Sequence, residues 1–540
     1  MRTTERKKLV LIRAKDAHIG NVLFLEHLKK IPDTRNHHLF SFRQDSRQPS
    51  FTVTRHPLMT VPNKSSVVSS LKWQTLSKTL TQVVSWGSTI LVMRILSPND
   101  YGLMAMTMVV IGFVTLISEM GFGSAIVQSK DIDTYQQRCL FGAALAVNSS
   151  VAILVAASAP AMAKFFTEPR LELLITLLCI QLPMAALTTI PESIARRIMA
   201  FKSLSIVEMA CSLVSATITC GAALAGWEVW ALATGQAAVA ILRPTLLIAK
   251  FGILPPAFGY KGLESLISFG GTLTVNRITW YFFSQADMLI AGKLLGKEAL
   301  GAYSVATSLA SIPLEKISSI ANQVIFSTFS RLQNQKEKVA EGTIRTVELV
   351  CLISFPLSWG LATTAQDFIP LLLGEKWIAA TLPLQLLAVI TPLRIVSSLT
   401  STIAIGTGMP RLDLLNTLTS VLLMIPAFIV GAIYFGIEGL AYAWVMVYPI
   451  SFGIALKRVS TRLGVTTKSI LAAMLPSLLS GLAMVIATQG FRNIAAIPKS
   501  VSLVGQIFIG ILVFATAISI LKPDLKINVI NWLHKKFSSA

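Results

Sequence analysis

RILSPNDYGLM (residues 94–104) and KLLGKEALGAY (residues 293–303) are two stretches of this 540-residue chain that share one pattern. Both begin with a basic residue and carry leucine at the third position and glycine at the ninth, which aligns them at an offset of 199 positions. GWEVWALA (residues 226–233) and GIEGLAYA (residues 436–443) form a second related pair, at an offset of 210 positions. Two matches at nearly the same offset predict an internal repeat.

The repeat lies in a chain whose composition is typical of a membrane protein. Hydrophobic residues make up 53% of the sequence and charged residues 14%, with a mean hydropathy of +0.66, whereas about 25% of the residues in a soluble domain are charged. A membrane-spanning helix needs about 20 mainly apolar residues. This window marks fourteen candidate spans, near residues 73–96, 102–127, 139–163, 171–192, 204–226, 229–249, 264–291, 299–329, 346–369, 378–405, 412–435, 437–456, 468–489 and 500–521.

Each copy of the repeat contains six of these spans, so both copies have the same orientation in the membrane. Parallel halves related by an axis along the membrane normal place a substrate site between them. The sequence predicts an all-α polytopic membrane protein of about fourteen transmembrane helices, with two parallel six-helix bundles around a central cavity plus two appended helices. The expected ranges are 71–261 for the N-terminal bundle, 262–460 for the C-terminal bundle, and 461–540 for the last two helices and a basic tail.

Residues 1–70 form a basic head that we expect to lie outside the transport fold. Residues 1–72 contain 14 Lys and Arg against 5 Asp and Glu, together with five of the six histidines. The head has no hydrophobic period and no apolar core of the length that a signal peptide requires. Two interpretations stay open: the residues before Met59 precede the true start of the protein, or the head is a disordered cytoplasmic tail.

Several enzyme classes are disfavoured by the residues that the body lacks. The five cysteines lie in apolar stretches without a CxxC pair, as expected of small buried residues. Beyond the head the sole histidine is His534, and there is no GxxxxGK[ST] loop. The gaps between spans are also too short for a catalytic domain. We therefore expect no metal, no cofactor and no enzyme activity, and a membrane glycosyltransferase or polymerase is disfavoured.

The distribution of basic residues predicts the orientation. Loops after even-numbered spans carry more Lys and Arg than the others, including Arg196, Arg197, Lys336 and Lys338. Such loops stay in the cytoplasm, which places both termini on the cytoplasmic side of the membrane. The net charge of +21 is then explained by this topology and by anionic lipid, without a nucleic-acid partner.

Polar residues within spans are costly, and each is therefore a candidate for function. In the first span, Gln74, Lys78 and Gln82 recur every four residues on one helical face. This face is either a wall of the cavity or, for Lys78, the result of its side chain reaching the inner interface. Glu119 in the second span and Arg394 in the tenth are further candidates, for which an interhelical ion pair is the alternative.

The seventh span carries a second polar face. Arg277, Tyr281 and Gln285 follow one another at steps of four residues. Arg277 is too deep to reach an interface easily, so it lines the cavity or forms a buried ion pair with another helix. Asp287 lies nearer the outer end, and it is either a structural pairing partner or, like Glu119, a site that couples transport to a sodium ion or proton.

The eighth span carries a third polar stripe, at steps of three and four residues. Its members are Thr307, Ser311, Glu315, Ser318 and Asn322. Lys316 points about 100° away from Glu315 on a helix and so falls outside this stripe. The three stripes predict a wet central surface, and the candidate substrate-binding residues on it are Lys78, Gln82, Arg277, Tyr281, Gln285, Glu315 and Asn322.

Several motifs resemble those of bacterial oligosaccharide flippases, the polysaccharide-exporter branch of the multidrug/oligosaccharidyl-lipid/polysaccharide superfamily. The motifs are WGSTILVMRILSPNDYGLMAM (residues 86–106), EMGFGSAIVQSKD (residues 119–131) and the run D-x-L-I-x-G-x-x-L-G-x-x-x-L-G-x-Y (residues 287–303). The similarity extends from about residue 71 to residue 460. It implies fourteen helices, two six-helix bundles and a central cavity. It also implies export of an undecaprenyl-diphosphate-linked oligosaccharide by a protein that acts as a monomer.

Two transport functions remain open, because ion-coupled multidrug/cation antiporters of the same superfamily share this fold. A lipid-linked oligosaccharide carries a negative diphosphate and needs a hydrated, cationic cavity. A cationic drug needs acidic cavity residues instead. Lys78 and Arg277 favour the oligosaccharide as substrate, with membrane lipids as the surrounding partners.

Overall fold

The computed structural model describes residues 64–118, 134–198, 200–257, 259, 264–494 and 498–523. The side chains of residues 64–78, 117–118, 264–277, 320, 323 and 494 lie outside this description. So do the basic head before residue 64 and the choice of Met59 as start. The described residues form fifteen α-helices. They are α1 Lys64–Ile95, α2 Pro98–Ser118, α3 Thr134–Phe166, α4 Arg170–Leu178, α5 Gln181–Arg197, α6 Phe201–Leu224, α7 Val229–Phe251, α8 Glu264–Leu294, α9 Gly296–Leu332, α10 Lys336–Phe368, α11 Thr381–Gly406, α12 Pro410–Met446, α13 Tyr448–Leu463, α14 Thr467–Ile494 and α15 Lys499–Leu521.

The expected all-α polytopic class is confirmed. Ten segments of the described chain are long and apolar enough to cross a membrane. One of them joins α4 to α5, and another, of 54 residues, joins α12 to α13. Helices α1, α8 and α9, which carry the three polar stripes, are not among the ten. The total of fourteen spans stays a prediction.

The segment from Pro410 to Leu463 is too long for one crossing. At 1.5 Å per residue its 54 residues would extend about 80 Å, against a hydrocarbon core of about 30 Å. It breaks at Gly436, whose φ of 60° favours glycine. Gly226, its counterpart in the repeat, also has a positive φ, of 78°, between α6 and α7. The repeat thus reappears as a positive φ at both glycines.

The helices pack as two halves and an appended pair. In the first half, α1 packs on α6, α6 on α7, and α5 on α3 and α7. In the second half, α9 packs on α11, α8 on α12, and α11 on α10 and α12. The two halves meet mainly where α2 packs against α8 and α9. The predicted boundaries at residues 261, 460 and 461 stay predictions.

The appended helices α14 and α15 pack on each other and on α10. A buried carboxylate near the end of α10 holds them. Asp367 accepts hydrogen bonds from Ser502 Oγ (2.8 Å) and Gln506 Nε2 (2.6 Å), both on α15. Lys522 pairs with Glu348 toward the other end of α10. Polar contacts at two levels thus fix this pair to the second half.

Candidate functional site

The two halves touch most closely at the start of α2 and α9. A β-carbon at Gly102 would lie 1.7 Å from the carbonyl oxygen of Lys297, and one at Gly301 would lie 1.8 Å from that of Pro98. Real side chains never approach this closely, so only glycine fits at either position. The contact closes this end of the boundary between the halves, and we call it the glycine junction.

Basic side chains surround the glycine junction and bridge the halves. Arg94, at the end of α1, donates from Nε to the carbonyl of Leu372 (2.8 Å) and also bonds Leu371. Lys293, its repeat counterpart at the end of α8, donates to the carbonyl of Phe165 at the end of α3 (2.5 Å). In each half, the first helix therefore ends in a cation that binds a backbone carbonyl of the other half. That carbonyl lies at the end of the third helix, or in the short turn that continues it, where the helix dipole favours positive charge.

Two further donors strengthen one side of this arrangement. Trp377 is fully buried, and its indole nitrogen donates to the carbonyl of Met93 (2.9 Å). Lys376 donates to the carbonyls of Arg94 (2.8 Å) and Ile95 (3.1 Å). These residues connect the turn between α10 and α11 to the end of α1.

A polar bridge between the halves also lies farther along α1. Lys316 Nζ on α9 donates to Gln82 Oε1 on α1 at 2.9 Å, and both side chains are at least partly accessible. Glu315, the next residue, is exposed. The sequence pattern placed Lys316 outside the stripe of α9. The polar face of α1 could have identified Lys316, because a polar face within the membrane needs a polar partner, here on the opposite half.

Two of the candidate residues are held by contacts with neighbouring helices. Tyr281 is buried, and its hydroxyl donates to the carbonyl of Val109 on α2 (2.7 Å), where Gly112 leaves room for the ring. Asn322 accepts a hydrogen bond from Thr402 Oγ1 on α11 at 2.9 Å. Gln285 is partly buried on α8. Their roles in substrate binding stay predictions.

Asp287 is the centre of a buried polar network in the second half. Only 2% of its surface is exposed. It accepts hydrogen bonds from Tyr303 Oη on α9 (2.9 Å) and from Trp444 Nε1 on α12 (3.0 Å). The guanidinium of Arg394 lies 4.3 Å from the centroid of the Trp444 ring. A carboxylate and a guanidinium thus share one aromatic partner, and four helices converge on this point.

Three candidate residues lie wholly or partly outside the described residues. The backbone positions of Lys78 and Arg277 lie in α1 and α8, but their side chains are outside the described part, and Glu119 is outside it entirely. Among the described residues, no group of three or more His, Cys, Asp or Glu side chains could hold a metal ion.

The two halves, the glycine junction and the polar bridge define a helical membrane protein built of two bundles. The sequence pattern of the family described as "Polysaccharide biosynthesis protein" matches residues 91–382. The chain belongs to this family.

Curated relatives are similar over much of the chain. The teichuronic acid biosynthesis protein TuaB of Bacillus subtilis is 27% identical over 56% of this chain and 63% of its own length. The lipopolysaccharide biosynthesis protein WzxC of Escherichia coli is 25% identical over 71% of this chain and 79% of its own. The succinoglycan biosynthesis transport protein ExoT of Rhizobium meliloti is 26% identical over 60% of this chain and 66% of its own. The chain thus spans less than two thirds of TuaB and ExoT.

Solved structures share the fold. The lipid II flippase MurJ, in an inward closed conformation, superimposes with a TM-score of 0.67 at 14% identity and covers 84% of this chain and 99% of its own. An inward-facing multidrug resistance MATE family transporter of the MOP superfamily has a TM-score of 0.55 at 13% identity, over 72% of this chain and 94% of its own. These similarities establish the two-bundle architecture and leave the substrate open.

Proposed function

We propose that this protein is a flippase that moves an undecaprenyl-diphosphate-linked oligosaccharide across the bacterial inner membrane for surface polysaccharide biosynthesis. The observation that carries the proposal is the Lys316–Gln82 bridge, which puts an accessible cation between two halves of a transporter fold. Membership of the polysaccharide biosynthesis family supports it. So do the names of the relatives WzxC and ExoT.

The diphosphate is the part of such a substrate that needs this cation. Charge-assisted hydrogen bonds to phosphate are roughly twice as strong as neutral ones. Lys316 is held by a neutral amide of Gln82 rather than by a carboxylate, so an incoming phosphate can replace the amide without leaving an anion unpaired. Lys78 lies one turn before Gln82 on α1, and Arg277 lies on α8, the counterpart of α1 in the repeat. We assign these cations to the same diphosphate site, with Gln285 and Glu315 beside it.

Coupling to an ion gradient belongs to this proposal as well. Asp287 is the buried carboxylate on which α8, α9, α11 and α12 converge, so loss or gain of its charge changes contacts among four helices. We assign it the coupling role, with a sodium ion or proton as the partner, and Glu119 remains the second candidate. The protein acts as a monomer with both termini in the cytoplasm, and it transports its substrate without changing it chemically.

A flipping assay tests the proposal. Lipid-linked oligosaccharide extracted from the host is labelled on the sugar and reconstituted with the purified protein into liposomes. Wild-type protein should make the inner-leaflet label accessible to an impermeant quencher. Lys316→Gln should slow this step, whereas Lys336→Gln, at an exposed position outside the bridge, should not. Efflux of a cationic drug without flipping of the lipid would favour the antiporter function instead.

A further inference from the structure

A cavity with many polar lining residues lies among helices of the first half. Its volume is about 400 Å³, and α1, α6 and α7 form most of its wall, with Tyr101 of α2. Neither the resemblance nor the three polar stripes assigns a role to it. Most of a membrane protein bundle is filled by apolar side chains, so a polar cavity of this size calls for an explanation.

Hydroxyl groups line this cavity from two sides. Ser85 and Thr89 contribute from α1, and Ser212, Ser215 and Thr219 from α6. Within the described residues, the hydroxyls of Thr89, Ser212, Ser215 and Thr219 make no hydrogen bond. A serine or threonine hydroxyl both donates and accepts. A ligand that presents hydroxyl groups, which also donate and accept, matches such a wall.

The charges at the cavity balance each other. Arg243 on α7 lines it and is held by Glu192 through an ion pair of 3.0 Å. Glu208 on α6 lines it as well. Glu192 also pairs with Arg196 at 2.7 Å, so two guanidiniums and two carboxylates at or beside the wall give no net charge. This balance suits a neutral ligand better than a diphosphate or a cationic drug. Arg243 and Glu208 can each bind neighbouring hydroxyls through two hydrogen bonds.

The remaining wall supplies an amide and an aromatic ring. Gln236 on α7 adds a donor and an acceptor. Tyr101 is fixed by an edge-on contact with Trp377, with 5.2 Å between the ring centroids. An aromatic ring packs against the apolar C–H surface that a sugar ring presents alongside its hydroxyls.

The cavity also lies at a suitable level of the molecule. Gln82, which bonds Lys316 across the halves, precedes Ser85 by less than one turn and Thr89 by two turns of α1. At 1.5 Å per residue these two positions lie about 5 and 10 Å farther along the helix axis. A sugar linked directly to a diphosphate held at Gln82 and Lys316 would therefore reach the level of these hydroxyls.

We propose that this cavity is a sugar subsite, which binds one neutral, hydroxyl-rich unit of the lipid-linked oligosaccharide while the cations between the halves hold the diphosphate. The inference rests on the proposed function, because it takes the same substrate. According to this proposal, the substrate is recognised at two places. The cations between the halves bind the diphosphate, and the cavity within the first half selects the sugar.

The test compares two lipids and two matched double variants. The lipids are the lipid-linked oligosaccharide extracted from the host and undecaprenyl diphosphate, which carries no sugar. The double variant Thr89→Val, Thr219→Val removes two cavity hydroxyls, while the side chains keep nearly the same size and shape. Thr217→Val with Thr245→Val removes two exposed hydroxyls on α6 and α7 that bond only their own helices. Affinity is measured with purified protein in nanodiscs, and a thermal melt of each variant checks folding.

We expect the cavity variant to bind the sugar-bearing lipid about ten-fold more weakly, as two lost hydrogen bonds predict, and undecaprenyl diphosphate as tightly as wild type does. The control variant should bind both lipids normally. Equal weakening for both lipids, or no weakening, would overturn the sugar subsite. Failure of wild-type protein to bind either lipid would instead overturn the proposed function.

Cys211, which lines the cavity, gives a readout that needs no mutation. Its modification by methyl methanethiosulfonate can be followed by peptide-resolved mass spectrometry. The sugar-bearing lipid should slow modification at least several-fold, and undecaprenyl diphosphate should not. Protection by sodium ions alone would contradict the proposal, since it would identify the cavity as a cation site.

Discussion

Gly102 and Gly301 pack against each other's helices in a reciprocal contact. A β-carbon at either glycine would meet the backbone carbonyl of the residue that lies four positions before the other glycine. These carbonyls belong to Lys297 and Pro98, which are themselves counterparts in the repeat. Such reciprocity arises where a two-fold axis passes through a contact. The pseudo-two-fold axis of the two halves therefore runs through the glycine junction.

A methyl group at the glycine junction should force the halves apart. Gly301→Ala would place a β-carbon 1.8 Å from the Pro98 carbonyl. Over-packing costs about 1–3 kcal/mol, which lowers the ratio of closed to open molecules by about 5- to 150-fold. Spin labels on α2 and α9 should show a wider distance distribution by double electron–electron resonance. Gly87→Ala, where a β-carbon meets nothing within 4 Å, is the control, and an identical distribution in both variants would contradict the prediction.

Arg94 and Lys293 should stabilise the same closed end from opposite halves. A hydrogen bond from a charged donor contributes about 1.5–3 kcal/mol. Arg94→Gln and Lys293→Gln should each make a cysteine probe beside the glycine junction react about 10-fold faster with a water-soluble maleimide. The double variant should be faster still. Lys164→Gln, exposed on α3, should leave the rate unchanged, and a fast rate in this control would mean that loss of surface charge alone opens the end.

Asp287→Asn separates a coupling role from a structural one. The amide oxygen can still accept hydrogen bonds from Tyr303 and Trp444. The negative charge is lost, together with the hydrogen bond that the other carboxylate oxygen accepts from the Met288 N–H. We expect flipping that no longer responds to an imposed sodium or proton gradient, in protein that melts close to the wild-type temperature. The measurement is flipping in liposomes with and without each gradient.

A purely structural Asp287 gives a different outcome. The charge of Arg394 would then lose its nearby carboxylate, and the melting temperature would fall while the response to the gradient persisted. Asp287→Asn with Arg394→Gln should restore stability in that case. Retained gradient response in the single variant would remove Asp287 from the coupling step.

The sequence predicts most of the architecture because the repeat and the apolar periods are local signals. Gly226 and Gly436 are visible as aligned letters, and both prove to have positive φ. The break between α4 and α5 is not visible in this way, since residues 171–192 read as one apolar span. Asn322 illustrates a second limit: the stripe on α9 can be read from the sequence, but whether a stripe faces the cavity or α11 depends on packing between helices. The same reasoning from one helix places Lys316 outside the stripe, although its side chain bonds Gln82 of the other half.

Topology can be tested with single cysteines. The proposed orientation puts the turn between α9 and α10 in the cytoplasm and the turn between α10 and α11 outside. In intact cells, Asn334→Cys should resist an impermeant maleimide, and Ile378→Cys, at an exposed position, should be labelled. Both should react after the membrane is permeabilised. The reverse pattern would mean that the count of spans before α10 is wrong by one.

Arg277 gives the sharpest test of the diphosphate site. Its helix α8 corresponds to α1 in the repeat, and helices related by a two-fold axis face each other across it, so Arg277 and Lys78 should both address the cavity. A guanidinium binds a phosphate through two parallel hydrogen bonds, which an ammonium cannot reproduce. Arg277→Lys should therefore weaken binding of undecaprenyl diphosphate although the charge is kept. Arg277→Ala should weaken it more, by about 10- to 150-fold, since a charged hydrogen bond contributes about 1.5–3 kcal/mol.

The competing interpretation of Arg277 is a buried ion pair, and it predicts another result. Arg277→Ala would then leave a partner carboxylate unpaired in the membrane, at a cost of about 3–5 kcal/mol, and the level of folded protein would fall. Neutralising that carboxylate would restore it, while affinity for the lipid would stay normal throughout. Binding assays on folded Arg277→Ala and Arg277→Lys protein in nanodiscs distinguish the two interpretations. If Arg277 belongs to the diphosphate site, affinity should fall from wild type to the lysine variant and again to the alanine variant. Normal affinity in well-folded Arg277→Ala protein would exclude this residue from the diphosphate site.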